Sequence, residues 1–255
     1  MPAVYLLCAG AQTRDSRPPT LGLVKRTSAT NRLLDQLPRA ERQRLLANCE
    51  AVDLTQGEIL AEPREWIGHV YFPTTSSIAR VIEAGGGASL GVELIGYEGM
   101  LGASLMLGID SAPARALVQG AGGALKMSAT RFRASVAEGG ALRRAGHSYL
   151  FVLFDQLART SGCTRFHLLE ERLARWLLMS ADRAHSGAFH MTHEFLAHTL
   201  GVRRVGITAA ATSLQARKLI RYSRGEIVIL DRKGLAAAAC SCYAADLASY
   251  RRVLG

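Results

Sequence analysis

The residues of this chain best equipped for chemistry are its seven histidines, its five cysteines and a set of arginines crowded toward the C-terminus. Four histidines, at positions 185, 190, 193 and 198, suggest a metal centre at first sight. His193 and His198 are five apart, however, so on a helix they point about 140° away from each other. The His193-Glu194 pair therefore does not open an HExxH zinc-protease site, whose two histidines must share one helix face. These histidines read as DNA-facing or solvated side chains. His69 and His147 read as structural, with haem ligation by either as the alternative. The cysteines, at 8, 49, 163, 240 and 242, are odd in number and lack framework spacing, which points to a reducing cytoplasm. Cys240 and Cys242 stand too close for a CxxC pair and read as packing or surface thiols, a Cys-Ser-Cys metal or redox role being the alternative. No metal site is expected. No Walker loop, GxSxG elbow or paired-carboxylate motif occurs, so no catalytic residue is assigned and an enzyme is set aside.

The arginines carry more information. The net charge of +10 is unevenly placed. Residues 1–30 carry four basic and one acidic group, residues 31–163 carry thirteen of each, and residues 164–255 carry fourteen basic and seven acidic. A neutral body with a basic C-terminal third is the electrostatic footprint of a nucleic-acid binder, since phosphate neutralisation supplies most non-specific affinity. A solvated basic face is the bland alternative. No apolar run approaches the roughly 20 residues of a membrane span, so a soluble protein without a membrane partner is expected. The start, MPAVYLLCAGAQ, lacks the basic n-region of a signal peptide.

The basic third contains the stretch that organises the rest, MTHEFLAHTLGVRRVGITAAATSLQARKLIRYS, residues 191–223. Thr192 is a good N-cap for a helix over 193–200. Gly201 supplies a turn, because a glycine after a helix readily takes the left-handed conformation. A second helix runs from about Arg203 to Ala216. Leu196, Leu200, Val202, Ile207 and Ala210 fall where the shared core of two crossing helices needs apolar groups, and Ala197 where they touch. Behind them, LIRY and IVIL flank Ser223-Arg224-Gly225-Glu226 and predict a hairpin. A helix-turn-helix followed by a hairpin is a winged helix, and Arg221 and Arg224 would bring charge near phosphates. A short closing helix is expected over 233–239.

The elements that position this stretch precede it. Residues 1–30 mix Pro, Thr, Ser, Arg and Gly without periodicity and read as a flexible tail. From Asn31, leucines at helical spacing predict two short helices broken at Pro38. Between Ala51 and Met127, short Val/Ile/Leu/Thr runs punctuated by glycines predict an antiparallel β-barrel or roll. Ser128 caps a short helix. The longest helical pattern spans about 142–163, where Tyr149, Leu150, Leu153, Phe154 and Leu157 form a stripe wide enough to meet a second copy. A helix over 167–183 follows, with Leu168, Leu169, Leu173, Trp176, Leu177 and Leu178 inward and Glu171/Arg175 as an outward i,i+4 pair.

This order of glycine-rich roll, long helix, EERLARWLL, THEFLAHTLGVRR and LIRYSRGEIVILDRKGL resembles the Crp/Fnr family of bacterial transcription regulators over roughly residues 31–243. The fold class implied is α+β: an antiparallel, cyclic-nucleotide-binding-like β-roll over 31–141, a dimerisation helix over 142–163 and a winged helix-turn-helix over 164–255. The resemblance implies a homodimer reading the major groove of a two-fold-symmetric site, with double-stranded DNA, a second copy and RNA polymerase as partners. By resemblance, Arg204 falls on the recognition-helix arginine that reads guanine, and Thr192 on the helix-start residue that contacts phosphate. Arg203 extends the reading or binds phosphate, and His193 and Thr208 complete the expected DNA-facing set with Arg221 and Arg224. Val205 and Ala209 stand where many members have a base-reading glutamate and a second arginine, so the operator should differ from theirs.

The sensor half departs further. In cyclic-nucleotide-binding members a Gly-Glu-Leu turn is followed about ten residues later by Arg-Ser/Thr. Here Gly102 and Arg115 match, but Ala103 and Ala116 replace the carboxylate and the hydroxyl. Losing both removes orienting hydrogen bonds and argues against a cyclic nucleotide, leaving Arg115 as an anion-binding or structural arginine. The family's iron–sulfur sensors need an N-terminal cysteine cluster, and residues 1–50 hold only Cys8 and Cys49. The effector is left open. The competing function class is a nucleotide-binding module acting on a protein partner, which the basic winged-helix third disfavours.

Overall fold

The computed structural model describes residues 30–255; the expected N-terminal tail, apart from Thr30, and Cys8 lie outside the described residues. Asn31 opens the fold. Its Oδ1 accepts from the Leu33 and Leu34 amides, while its Nδ2 donates to the carbonyls of Pro73 and Gly99. It thereby caps α1 (Arg32–Asp35) and pins it to the β-domain. Pro38 separates this helix from α2 (Arg39–Leu46).

Seven strands follow: β1 (Glu50–Leu54), β2 (Ile59–Ala61), β3 (His69–Pro73), β4 (Ser77–Glu83), β5 (Ser89–Ile95), β6 (Arg115–Gly120) and β7 (Gly122–Ser128). They form two antiparallel sheets, β1-β7-β3 and β2-β6-β4-β5. Leu54, Ile78, Ile95, Leu101, Val118 and Ala124 from both sheets share one apolar cluster, which makes the pair a roll. A second cluster covers it: Leu33, Leu34, Phe72, Phe132, Leu142, Tyr149 and Leu153 join the helices to the outer side of the first sheet.

Ser128 caps α3 (Ala129–Ala137), as its position predicts. The long helix α4 spans Gly140–Phe166, so it starts and ends outside the expected 142–163. Its expected stripe divides. Tyr149 and Leu153 are buried in the cluster that joins the helices to the roll, whereas Phe154 is 74% exposed. On the outer side, Arg144, His147, Phe151, Phe154, Ala158, Ser161 and Arg165 are all exposed and follow one another at alternating steps of three and four.

Helix α5 (Leu169–Ala184) corrects two expectations. Leu168 precedes the helix and is 72% exposed rather than inward. Arg175 does not pair outward with Glu171. It is buried and donates through Nε and Nη2 to Oδ2 of Asp246 at 3.1 and 2.6 Å, while Glu171 accepts from the Leu168 amide. A local i,i+4 preference of a few tenths of a kcal/mol gives way to a buried, bidentate partner.

The C-terminal unit consists of β8 (Ala188–His190), α6 (His193–Leu200), α7 (Arg204–Ala216), β9 (Ile220–Ser223), β10 (Glu226–Ile229), α8 (Arg232–Ala238) and α9 (Cys242–Leu254). The expected hairpin is present, and β8 pairs with its second strand to make a three-stranded sheet β8-β10-β9. Helix α9, packed along α4, has no counterpart in the sequence reading. Leu173, Trp176, Leu177, Leu196, Leu200, Ile207 and Leu214 share one core with Ala79, Val81 and Leu94 of β4 and β5. The helix-turn-helix thus sits directly on the roll.

Candidate nucleic-acid interface

Thr192 begins the site. Its Oγ1 accepts from the Phe195 amide at 3.1 Å, supplying the N-cap that its residue type predicts. Gly201 ends α6 at φ 66°, and the Val202 amide donates to the Ala197 carbonyl at 3.0 Å. A side chain at Gly201 would be strained in this conformation and would press on Leu90 of β5. Arg203 is the N-cap of α7 without a side-chain cap bond, because a guanidinium carries only donors and cannot accept from the first amides of the helix.

The two faces of α7 divide cleanly. Ile207, Ala210, Ala211 and Leu214 are buried, while Arg204, Val205, Thr208, Ala209 and Thr212 are exposed. An arginine at the head of a helix face otherwise made of small side chains suits close approach to the floor of a major groove, about 12 Å wide. Arg203, Arg204, Arg221 and Arg224 are all exposed, and no described carboxylate forms an ion pair with any of them. Arg224 (φ 52°) and Gly225 (φ 86°) form the tight two-residue turn of the wing, placing Arg224 at its tip.

His193 is the one expected DNA-facing residue that the structure turns inward. Its ring packs edge-on against Tyr222 at 4.4 Å between centroids, and its Nδ1 lies 3.1 Å from the Thr208 hydroxyl. Burial, and then the nearby Arg204 charge, hold its pKa below the usual 6.5. Tyr222 donates from its hydroxyl to the Met191 carbonyl at 2.7 Å, and burial pushes its pKa up to about 12. His193 is therefore a strut between the wing and α7. Thr208, which also donates to the Arg204 carbonyl at 3.2 Å, is the exposed end of that strut.

The turn of the helix-turn-helix rests on the roll. Ser89 donates to the His198 carbonyl at 3.0 Å, and a Cβ placed on Gly91 would come within 2.7 Å of the Thr199 methyl.

In the roll, the expected effector residues are not brought together. Gly102 lines a cavity of about 90 Å³ with Trp66, Tyr71, Arg80, Ala103 and Ala114, far smaller than the roughly 300 Å³ and more of typical ligand sites. Arg115 does not line it. Its guanidinium is taken by Glu62 and Glu83.

One grouping goes beyond the sequence reading, which offers a metal role for Cys240 and Cys242 only as the alternative and does not join them to Cys163 and His167. Cys163 and His167, at the end of α4, meet Cys240, between α8 and α9, and Cys242, the first residue of α9, with all four ligand atoms within 4.8 Å of one another. The signal available was the i,i+4 spacing of Cys163 and His167 on one helix face, beside a Cys-x-Cys pair.

These features define a class: a β-roll joined by a long helix to a winged helix-turn-helix whose basic face is exposed. Residues 171–238 match the family model of the Crp-like helix-turn-helix domain. No curated protein matches the chain in sequence. Among solved structures, a regulator assigned to the Crp/Fnr family from Eubacterium rectale is similar at 18% identity and a TM-score of 0.64, covering 82% of this chain and 98% of that one. FixK2 of Bradyrhizobium japonicum is similar at 14% identity and a TM-score of 0.63, covering 76% and 98%. The c-di-GMP responsive regulator CLP of Xanthomonas campestris is similar at 15% identity and 0.61, covering 75% and 99%. Residues 171–238 are thus a Crp-like helix-turn-helix domain, and the chain as a whole has the fold of the Crp/Fnr regulators to which it is similar. Among the described residues no helix is long and apolar enough to cross a membrane.

Proposed function

We propose that two copies of this chain join along α4 and read a two-fold-symmetric DNA site through Arg204, with Arg203, Thr192, Arg221 and Arg224 holding phosphates. The observation that carries this reading is the outer face of α7, where Arg204 stands exposed at the head of a row of small side chains. Guanine offers O6 and N7 to such an arginine in a bidentate contact. Val205 and Ala209 add only apolar contact, as to a thymine methyl, so the word read is short and centred on Arg204.

The dimer is supported by the exposed row on α4. Steps of three and four over Arg144 to Arg165 have the spacing of a two-stranded coiled coil, with an apolar centre at Phe151, Phe154 and Ala158, of which the two phenylalanines are 53% and 74% exposed. Two reading heads on such an axis address half-sites about 34–36 Å apart. The dimer acts on transcription in the cytoplasm, by touching RNA polymerase or by standing in its way. The roll governs it through the contact of β5 with α6.

Selection of bound sequences from a random DNA pool by the full chain tests the reading. An enriched inverted repeat with a guanine in each half-site is expected. Enrichment of no sequence, or of a single unrepeated site, would overturn it.

A further inference from the structure

Cys163 Sγ lies 3.6 Å from Cys240 Sγ, and Cys242 Sγ lies 3.5 Å from His167 Nδ1. A tetrahedral zinc ion with Zn–S of about 2.3 Å and Zn–N of about 2.0–2.1 Å has edges of about 3.8 Å between sulfurs and about 3.6 Å between sulfur and nitrogen. The two measured edges fall within about 0.2 Å of those values, and no pair among the four atoms exceeds 4.8 Å. Three thiols and one imidazole form one of the usual structural zinc sets. The four side chains come as two pairs. Cys163 and His167 share a face of the last turn of α4, where the His167 amide donates to the Cys163 carbonyl at 3.1 Å. Cys240 and Cys242 bracket the turn into α9, where the Tyr243 amide donates to the Cys240 carbonyl at 3.1 Å. The three cysteines are buried and His167 is half-buried, giving an ion one side of entry.

From this geometry we infer that Cys163, His167, Cys240 and Cys242 bind a single thiophilic divalent cation, zinc in the first place, in tetrahedral coordination. Three thiolates and one zinc ion carry a net charge of −1. Arg172, which bears on Cys163 and Cys240 and pairs with no described carboxylate, supplies the opposite charge, whereas Arg175 beside it is matched by Asp246. A four-iron cluster does not fit, because its cube must lie between its thiolates and these atoms are too close to enclose one. A disulfide is a poor substitute. It would consume two of the thiols and leave the third, with the imidazole, without a partner.

The site spans the junction between α4 and the C-terminal unit. Phe166 ends the long helix and Leu169 starts the DNA-binding unit, so a bound ion ties the end of α4 to the far side of that unit through α8 and α9. Binding energy at a structural zinc becomes folding energy. Here it would fix the direction in which the reading head leaves α4.

The test is metal analysis of the full chain, purified without chelator or affinity nickel. About one zinc per chain is expected, with cobalt replacement giving thiolate-to-cobalt charge transfer and the d–d bands of a tetrahedral ion. Cys163→Ser and Cys240→Ser should each weaken affinity by more than roughly 100-fold, since even the outer partners of metal ligands are worth 10–100-fold. Cys49→Ser, a cysteine outside the group, should leave the stoichiometry at one. His167→Cys, which keeps four ligands, should retain the ion. A wild-type chain that takes up no zinc or cobalt at micromolar concentrations overturns the inference. So does a cobalt spectrum without thiolate bands, or an iron–sulfur absorption in the purified protein. These readouts need only the wild type, so they hold even if a serine variant fails to fold.

Discussion

Arg115 is held by Glu62: its Nε donates to the carboxylate Oε2 at 2.8 Å, and its Nη1 lies 2.9 Å from Glu83 on the other side. An arginine that is to bind a phosphate must have its fork open, and here two carboxylates bracket it. Any phosphate arriving there would meet two negative charges along with one positive. Cyclic AMP and cyclic GMP at millimolar concentration are therefore expected to give no calorimetric heat and no shift in thermal midpoint. Arg115→Ala should leave DNA affinity within about twofold, a surface ion pair being worth about 0–1 kcal/mol. A stabilising shift with either nucleotide that Arg115→Ala abolishes would show that the carboxylates give way.

Arg204 and Arg224 are both exposed arginines of the reading unit, yet their variants should behave differently. Arg204→Ala removes a contact to a base edge, about 1–3 kcal/mol of discrimination, or about 5- to 150-fold between the selected site and a guanine-substituted one. Residual binding should persist and remain strongly salt-dependent. Arg224→Ala, at the tip of the wing, should weaken binding to all sequences alike and lower the slope of log affinity against log salt by about one. Gel-shift titrations at several salt concentrations read both quantities. Unchanged selectivity in Arg204→Ala would remove that residue from base reading.

His193 offers a pH signature. Burial and the Arg204 charge lower its folded pKa below 6.5, so the unfolded chain takes up this proton more readily than the folded one. By linkage, the stability tied to neutral His193 is complete above about 6.5 and is lost as pH falls through the unfolded value toward the folded one. The thermal midpoint of the wild type should therefore drop more between pH 7 and pH 5 than that of His193→Gln. Equal slopes, after correction for the other histidines they share, would show that the strut to Thr208 and Tyr222 does not depend on the neutral ring.

What could be read beforehand follows from the range over which each feature is determined. Thr192, Gly201 and Ser128 are legible because a cap or a turn is settled by bonds spanning three to five residues. The inward residues of α7 are legible because one helical period decides them. Helix α9 is not, since its segment, CYAADLASYRRVL, is held by Asp246 as much as by any apolar stripe, and a buried aspartate is legible only once its arginines are in place. Arg175 was assigned to solvent by the same local rule that its tertiary partner overrides. Cys163 and Cys240, 77 residues apart, meet only because α9 folds back along α4. That Tyr222 lies behind His193 is likewise not legible locally, since the wing strand that carries it is placed by tertiary packing.

Asp246 is the keystone of that return. Only 3% exposed, it accepts from Arg175 through one oxygen and faces Arg159 Nε at 3.0 Å through the other, so α4, α5 and α9 meet on one carboxylate. Burying such a group costs more than its pairing restores, which is why its pKa rises above the ordinary value despite two arginines. Removing it is worse, because the Arg175 guanidinium then lies buried and uncompensated, while Arg159 keeps its pairing with Asp155. Asp246→Ala is expected to lose about 3–5 kcal/mol in urea unfolding. A loss below about 1 kcal/mol would mean that α9 is docked by its apolar contacts alone.

Phe154 offers the last and most direct check, because it contributes almost nothing to the folded single chain. It is 74% exposed on α4, next to Phe151 at 53%, on the side away from the roll. Fully burying a phenylalanine is worth about 1.5–3 kcal/mol, and a two-fold axis would count each ring twice. Phe154→Glu replaces that gain with two carboxylates facing each other across the axis. The dimer dissociation constant measured by sedimentation should then rise by at least roughly 100-fold, with the thermal midpoint of the separated chain almost unchanged. DNA affinity should fall in parallel at protein concentrations below the new constant, since one reading head alone loses the second half-site. A Phe154→Glu chain that stays dimeric would place the interface elsewhere and leave the exposed row on α4 without a partner.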